Sequence, residues 1–249
     1  MYWSQVRILA GPPRLDCFVI YKMNNNSDFY KWFGTIASKL KDREISFRKI
    51  FKYLDAQPTP IIIVETGCLR KLDNFLDGQS TLLFDKYTLS RGEKSKVYTV
   101  DINSESTKVC KEVVSENVEI TTGDSVRYLN NLSAFFLKNN TKVSMFYLDS
   151  FDLDWRYPYP SAIHHLKELT SIIRILNEET LVVVDDSPAS GNLSQIEHES
   201  GLNWKILTTP SPPPTIGGKG FLVHEYATHV GAKLFFSHYH AAWNKFNKD

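Results

Sequence analysis

The chain has 249 residues, of which 42% are hydrophobic and 23% charged, and its formal net charge is +1. This length suits one α/β domain with a sizeable core, and the near-neutral charge gives no electrostatic case for nucleic acid or an anionic membrane as a partner. Three scattered cysteines exclude a disulfide framework or a zinc knuckle, and they favour a reducing cytoplasm. No apolar run approaches the ~20 residues that span a bilayer.

The N-terminal segment 1–22 has no helical or strand period that continues into the rest of the chain. Pro12 and Pro13 interrupt it, which argues against a signal peptide. Residues 5–9 can be encoded by a nucleotide run that is typical of a transfer-RNA T-arm. We therefore expect either an over-extended reading frame, with translation starting at Met23, or a genuine tail that is poorly ordered.

Two amphipathic helices are predicted within residues 23–59. The first begins near Ser27-Asp28 and carries apolar residues at helical spacing, which are Phe29, Trp32, Phe33, Ile36 and Leu40. The second has Phe47, Ile50, Phe51 and Leu54, and it stops at Pro58. We expect both helices to cover a sheet formed by residues 60–249. A lid or a dimer surface is the alternative, and a homodimer is a possible assembly.

Five short apolar runs follow, and each ends in an acidic or Gly-containing signature. They span residues 60–65, 97–101, 118–122, 143–149 and 181–185, with helical patterns between them. This alternation predicts a Rossmann-like, doubly wound α/β fold with helices on both faces of a mostly parallel sheet. Ligands bind such sheets at the carboxyl ends of the strands. The signatures at that edge are Glu65-Thr-Gly67, Asp101, Gly123-Asp124-Ser125, Asp149 and Asp185-Asp186.

The last third of the chain predicts a closing pair of strands, which makes seven in all and gives the sheet an antiparallel C-terminal edge strand. The candidate strands are 204–208 and 233–240, and a Pro/Gly-rich segment (209–220) and a helix (221–230) lie between them. The Pro/Gly-rich segment, with Lys219 between glycines, is a candidate lid. An ordinary long connection is the alternative.

The order of the strand endings over residues 60–186 resembles that of class I S-adenosylmethionine-dependent methyltransferases, above all the metal-dependent O-methyltransferases of the catechol and macrocin types. The resemblance implies transfer of a methyl group from S-adenosylmethionine to a small hydroxylated substrate, such as a diol, a sugar or a catechol-like ring. The cofactor-binding residues that it implies are Glu65, Gly67, Asp101, Gly123, Asp124 and Ser125.

Asp101 is expected to accept hydrogen bonds from the ribose hydroxyls, as an acidic residue does at this place in dinucleotide-binding folds. The alternative for Asp101, Asp124 and Ser125 is a helix N-cap, and the two roles are compatible. The turn after Gly67 departs from the family because Cys68-Leu-Arg70 replaces its later glycines. Gly78-Gln-Ser-Thr81 is a candidate for the later part of the motif.

The resemblance also implies a divalent-metal site at the ends of the fourth and fifth strands. The metal-dependent subgroup has three ligands there, and this chain has Asp149, Asp185 and Asp186. Carboxylate oxygens suit Mg²⁺, and three neighbouring carboxylates without a cation would repel one another. The alternative is that Asp185-Asp186 only ends a strand and faces water.

Asp152 is the first candidate for the general base. It lies three residues after Asp149, where the catechol type has a lysine and the macrocin type a histidine. An Asp at this offset could accept the substrate's proton or bind the metal. His164 and His165, at the start of the next helix, are the alternative bases.

Two other functional classes compete with methyl transfer. Asp152-Leu-Asp154 matches the Asp-x-Asp pattern with which nucleotide-sugar glycosyltransferases bind a divalent ion and a diphosphate. A non-catalytic nucleoside-binding module with the same sheet is the second alternative. A dinucleotide-dependent enzyme has less support, because no Gly-x-Gly-x-x-Gly follows the first strand.

Overall fold

A seven-stranded sheet forms the centre of the computed structural model, which describes residues 25–75, 79–189 and 216–246. The strands are β1 Ile62–Thr66, β2 Lys96–Asp101, β3 Val118–Thr122, β4 Met145–Leu148, β5 Leu181–Val184, β6 Lys233–Ser237 and β7 Ala241–Asn244. Their order across the sheet is β3-β2-β1-β4-β5-β7-β6.

Strands β1 to β5 run parallel, and β7 runs antiparallel to both of its neighbours, β5 and β6. The chain winds outward from β1 to β3 and then returns to place β4 on the other side of β1. The winding direction therefore reverses between β1 and β4, and such a switch point opens a crevice at the carboxyl ends of the strands. The predicted doubly wound, mostly parallel fold is confirmed.

Helices cover both faces of the sheet. The α-helices are α1 Asn26–Ile36, α2 Arg43–Asp55, α3 Ser80–Ser90, α4 Ser104–Val113, α5 Ser125–Lys138, α6 Tyr159–Ile172 and α7 Phe221–His229. Short 3-10 turns follow at Ala37–Leu40, Ile173–Ile175 and Gly218–Gly220. No helix in the described ranges has the length and apolar character that a bilayer crossing requires.

The central strands are buried on both faces, and their side chains alternate between two cores. In β1, Ile63 packs on the face that α1, α2 and α3 cover, whereas Ile62 and Val64 pack against α5 and α6. In β4 the same period of two places Met145 and Tyr147 in the core under α1, α2 and α3. It places Phe146 and Leu148 in the core under α5 and α6. This double burial explains why the strands appear in the sequence as continuous apolar runs.

Helices α1 and α2 share the first of these cores with the sheet. Phe29, Phe33, Phe47 and Phe51 are fully buried, and the ring centroids of Phe29 and Phe51 lie 4.7 Å apart. The ring of Phe47 also stacks on that of Tyr147 in β4, at 6.1 Å. The N-terminal helices therefore pack directly on the sheet that carries the site.

The C-terminal strands differ in detail from the prediction. The strand expected at 233–240 ends at Ser237, and the next strand, β7, is inserted between β5 and β6 rather than lying at the edge. Ala241-Ala-Trp-Asn244 has no β-branched residue and no apolar–polar alternation, so the sequence carries no strand signal there. The expectations for residues 1–22, Gly78, strand 204–208 and residues 209–215 fall outside the described residues.

Candidate functional site

The turn after β1 depends on Gly67. Its φ is +77°, and a Cβ atom built on it would lie 2.5 Å from the carbonyl oxygen of Asp149. Its backbone N–H donates to the carbonyl of Val100 at the end of β2, at 2.8 Å. A side chain at this position would clash with β4, so only glycine lets the turn fit between the ends of β2 and β4.

Asp101 joins two turns at the end of β2. Its Oδ2 accepts from the backbone N–H of Cys68 at 3.1 Å, and its Oδ1 accepts from the N–H of Asn103 at 2.7 Å. Asn103 caps α4 with its own side chain, which accepts from the N–H of Glu105. Asp101 is therefore not the helix cap, and its carboxylate keeps free lone pairs for a ligand.

A cavity of about 350 Å³ opens at these strand ends. Gly67, Asp101, Gly123, Asp124, Ser125, Asp152 and His164 line it, together with Val100, Ile102, Ser150 and Phe151. Ile102 is 77% exposed and Phe151 46% exposed, although both are large apolar side chains. The cavity thus combines apolar walls with a carboxylate and backbone groups, which is the usual composition of a small-molecule site.

Asp124 and Ser125 hold the far side of this cavity. The Asp124 side chain accepts from the N–H of Arg127 at 2.8 Å, so it caps α5 as the alternative reading expects. The hydroxyl of Ser125 faces His164, with 2.9 Å between Oγ and Nε2. Asp124 therefore caps the helix, whereas Ser125 faces the interior of the site.

Glu65 lies beneath the turn and does not line the cavity. It is fully buried, and its Oε2 accepts from the hydroxyls of Thr81 at 2.7 Å and Thr99 at 2.8 Å. Thr81 in turn accepts from the N–H of Leu69 at 2.9 Å. Burial outweighs these hydrogen bonds and raises the pKa of Glu65 to about 7. Its position supports the turn from below.

Glu168 of α6 lies at the floor of the site and contacts several side chains there. This buried acid was not predicted from the sequence. The hydroxyls of Ser150 and Thr66 donate to it at 2.6 and 3.2 Å, and its Oε1 lies 3.6 Å from Nε2 of His164. Burial alone would raise the pKa of Glu168, but His164, His165 and the hydroxyls of Ser125 and Ser150 outweigh burial and keep that pKa below its ordinary value. The spacing His164-x-x-x-Glu168 on one helix face was the available signal.

The three predicted bases occupy different environments. His164 lines the cavity, and its ring centroid lies 5.3 Å from that of Phe151. His165 is fully buried, its Nδ1 lies 2.7 Å from the carbonyl of Ser161, and burial lowers its pKa to about 4. Asp152 is 76% exposed and pairs with Arg70 at 2.9 Å. Only His164 is both enclosed and in contact with the cavity.

The Asp-x-Asp pair does not converge on one point. Asp152 faces Arg70, and Asp154 pairs with Arg156 at 3.2 Å on the surface. The pKa of Asp154 is lowered by the hydrogen bond from Arg156. The two carboxylates are thus each engaged by a separate arginine.

The three remaining predicted residues meet at the ends of β4 and β5. Asp149, Asp185 and Asp186 each place one carboxylate oxygen within 4.8 Å of the others. Such a set of hard oxygen donors suits a divalent ion by its chemistry. The predicted convergence of these residues is therefore present in the fold, although a cluster of acids does not establish a metal.

Positively charged side chains already occupy this carboxylate cluster. The Lys219 ammonium pairs with Asp149 and lies 3.2 Å from Oδ2 of Asp186. Arg43 of α2 lies 3.4 Å from Asp185 and 3.1 Å from Asp186. His240 reaches Asp185 at 2.9 Å. The residues as arranged do not fit a divalent ion, because the ammonium takes the place beside two of the three donors.

Most charges of this cluster stabilise one another, but burial, together with the neighbouring Asp185 and Asp186 carboxylates, raises the pKa of Asp149 well above its ordinary range although Lys219 lowers it. Burial alone would lower the pKa of Lys219, but Asp149, Asp186 and Asp185 outweigh it and hold that pKa above its ordinary value. Burial likewise disfavours the Asp185 carboxylate, yet Arg43 and His240 keep its pKa well below the ordinary range. We conclude that the cluster is a network of buried ion pairs.

Comparisons with known proteins identify distant structural neighbours. No protein-family model matches the chain, and no curated protein matches it. The chain is similar to DhpI in a complex with SAM and HEP (12% identity, TM-score 0.42), with 89% of this chain and 98% of that one covered. It is similar to a protein provisionally assigned as an rRNA methylase from Clostridium thermocellum (12%, 0.40), with 80% and 97% covered.

A third neighbour has a different activity. The YIR035C short-chain dehydrogenase/reductase from Saccharomyces cerevisiae matches at 15% identity and a TM-score of 0.37, with 55% of this chain covered. The match spans only 56% of that protein's own length. At such distances the neighbours identify neither a family nor an activity, so function has to be argued from the site.

Proposed function

We propose that the protein is an S-adenosylmethionine-dependent methyltransferase that acts on a hydroxyl group of a small molecule. The observation that carries this proposal is the Asp101 carboxylate, which lines the cavity beside the glycine turn of β1. An adenosine moiety needs a carboxylate for its ribose hydroxyls and an apolar surface for its base. Asp101 supplies the first, and the adjacent, exposed Ile102 supplies the second.

A dinucleotide cofactor is a weaker match to the same features. The turn after β1 has one glycine, Gly67, where dinucleotide sites need three for close approach of the pyrophosphate. The strand order, with the antiparallel β7 between β5 and β6, also departs from the 3-2-1-4-5-6 order of dinucleotide-binding sheets. A mononucleoside ligand therefore accounts for more of the site.

His164 is the residue that we propose as proton acceptor. When bound, S-adenosylmethionine would supply an already activated methyl group, so the protein has to align the acceptor hydroxyl, exclude water and remove one proton. His164 lines the cavity, and Oε1 of Glu168 lies 3.6 Å from its Nε2, where the carboxylate orients the imidazole ring. Asp152 lies at the exposed rim, where Arg70 holds it.

The divalent ion implied by the sequence resemblance is not used in this chemistry. An ion would have to displace Lys219 before it reached Asp149 and Asp186. The proposed class of acceptor is the small hydroxylated molecule that the resemblance implies, such as a sugar, a diol or a catechol-like ring, bound without chelation to a metal. The protein would then bind the acceptor through the side chains around Phe151 rather than through a metal.

Ligand binding by the purified protein tests the proposal. Calorimetry with S-adenosylmethionine, a UDP-sugar and NAD compares the three functional classes in one experiment. We expect uptake of S-adenosylmethionine alone, and we expect Asp101→Ala to weaken it about 10-fold to 100-fold, as the loss of hydrogen bonds to a charged group does. Glu112→Ala, which removes an exposed acid from α4, is the matched control.

Two results would contradict the proposal. Tight binding of a UDP-sugar, with no binding of S-adenosylmethionine, would favour the glycosyltransferase alternative. Equal affinity of Asp101→Ala and the parent protein for S-adenosylmethionine would exclude a contact between Asp101 and the ribose. Incubation of a cell extract with methyl-labelled cofactor then separates an enzyme from a binding module. A module would bind the cofactor and label nothing.

A further inference from the structure

Lys219 is held deep in the protein by the backbone around it. It lies in the 3-10 turn Gly218–Gly220, and its N–H donates to the carbonyl of Asp186 at 3.0 Å. Gly218 has φ +59°, and a Cβ atom there would overlap the same carbonyl oxygen. The turn therefore lies directly on the end of β5 and fixes where the lysine side chain begins.

The ammonium of Lys219 is enclosed by the carboxylates. The side chain is only 2% exposed, and the ammonium pairs with Asp149 of the β4 end and with Asp186 of the β5 end. An unpaired ammonium at such depth would be strongly unfavourable, so these ion pairs are a condition of its burial. In this position Lys219 links three segments that are distant in sequence.

The third carboxylate, Asp185, and Oδ1 of Asp186 are occupied as well. Asp185 faces Arg43 at 3.4 Å and His240 at 2.9 Å. The hydroxyl of Tyr239 donates to Oδ1 of Asp186 at 2.6 Å, and the guanidinium of Arg43 lies over the Tyr239 ring at 4.2 Å. Two full positive charges and one histidine thus oppose three acids within one small volume.

We infer that Lys219 is the permanent cation of this site and that it replaces the divalent ion that the residue pattern predicts. The ammonium offsets one negative charge between Asp149 and Asp186 and connects β4 to β5, which are the two structural tasks that a metal would perform here. Lys219 and Arg43 leave the three carboxylates at most one net negative charge, and five of the six carboxylate oxygens already contact Lys219, Arg43 or His240, so little remains to capture Mg²⁺ or Mn²⁺.

A titration with Mn²⁺ tests this inference without any assay of activity. The electron paramagnetic resonance signal of free Mn²⁺ decreases when the ion binds to a protein. We expect the parent protein to leave the signal unchanged, and we expect neither EDTA nor millimolar Mg²⁺ to shift its Tm. Because these measurements need no cofactor or methyl acceptor, their outcome is independent of the proposed function.

Two variants should create the metal site. Lys219→Ala leaves room for an ion among the three acids, and Lys219→Gln keeps a polar side chain that favours a folded protein. We expect either folded variant to bind Mn²⁺ at least about tenfold more tightly than the parent protein, because one opposing charge is gone. Lys233→Ala, at an exposed position of β6, is the control and should behave like the parent.

Each outcome decides the question. Uptake of one Mn²⁺ by the parent protein, abolished by Asp185→Asn, would overturn the inference. Folded Lys219 variants with no gain in Mn²⁺ affinity would overturn it too, since the ammonium would not be what excludes the ion. If circular dichroism shows that neither variant folds, the titration of the parent protein alone decides: uptake refutes the inference, and a constant signal supports it.

Discussion

Glu65→Gln is expected to remove a pH-dependent loss of stability that the native carboxyl causes. Glu65 is fully buried, and burial raises its pKa from the ordinary 4.5 to about 7. In the unfolded chain the group ionises near its ordinary value. The folded state therefore binds this proton more tightly, and the free energy of unfolding falls as the pH rises through the window between the two values.

The size of the effect follows from the same two values. A difference of about 2.5 pKa units corresponds to a full cost of about 3 kcal/mol at high pH. Between about pH 5.5 and pH 8, the linkage relation gives a loss of about 2 kcal/mol from this residue. Glutamine stays neutral throughout and still offers an oxygen to Thr81 and Thr99. Any cost of its buried amide N–H groups is the same at both pH values and cancels.

Urea unfolding followed by circular dichroism at the two pH values measures this difference. We expect the free energy of unfolding of the Gln variant to fall by about 2 kcal/mol less than that of the parent protein between them. Glu112→Gln, which changes an exposed acid, should reproduce the parent's pH dependence. Equal pH dependence in the Glu65 variant and the parent would refute the reasoning, because the carboxyl would then be as easily ionised in the fold as in water.

Two further predictions concern the cavity. Gly67→Ala should lower the free energy of unfolding by about 2–4 kcal/mol in urea titrations, since φ +77° and the Asp149 carbonyl both oppose a Cβ atom; parent-like stability would contradict the clash. His164→Ala should slow transfer of labelled methyl groups about 10²-fold to 10⁴-fold while cofactor affinity changes little. His229→Ala, at an exposed helix end, is its control, and an unchanged rate would exclude His164 as the base.

The fold and the lining of the cavity were predictable because both follow from local patterns. Apolar runs of five or six residues separated by helical periods define a parallel sheet, and a parallel sheet brings all its strand ends to one edge. Asp101 and Gly67 were found in this way, although 34 residues separate them. The same argument placed Asp149 beside Asp185-Asp186, and these side chains do meet.

The direction of side chains at the strand ends follows from the period of two within each strand. Residues alternate between faces in β1, so Glu65 lies on the side of Ile63 and Thr66 on the side of Val64. Glu65 accordingly points to Thr81 of α3, whereas Thr66 donates to Glu168 of α6. A strict count of this period places Glu65 beneath the turn, on the side of α3.

The cations of the carboxylate cluster could not be found from local patterns. Three acids at apolar strand ends imply that a positive charge must compensate them, since buried carboxylates without one would repel or become neutral. The pattern does not say whether that charge is an ion or a side chain. Arg43 lies 142 residues from Asp185 in the sequence, and Lys219 lies 70 residues from Asp149. Only the packing of α2 and the Gly218–Gly220 turn on the sheet brings them there, so residues that suit a metal by type and spacing are held instead by the chain's own cations.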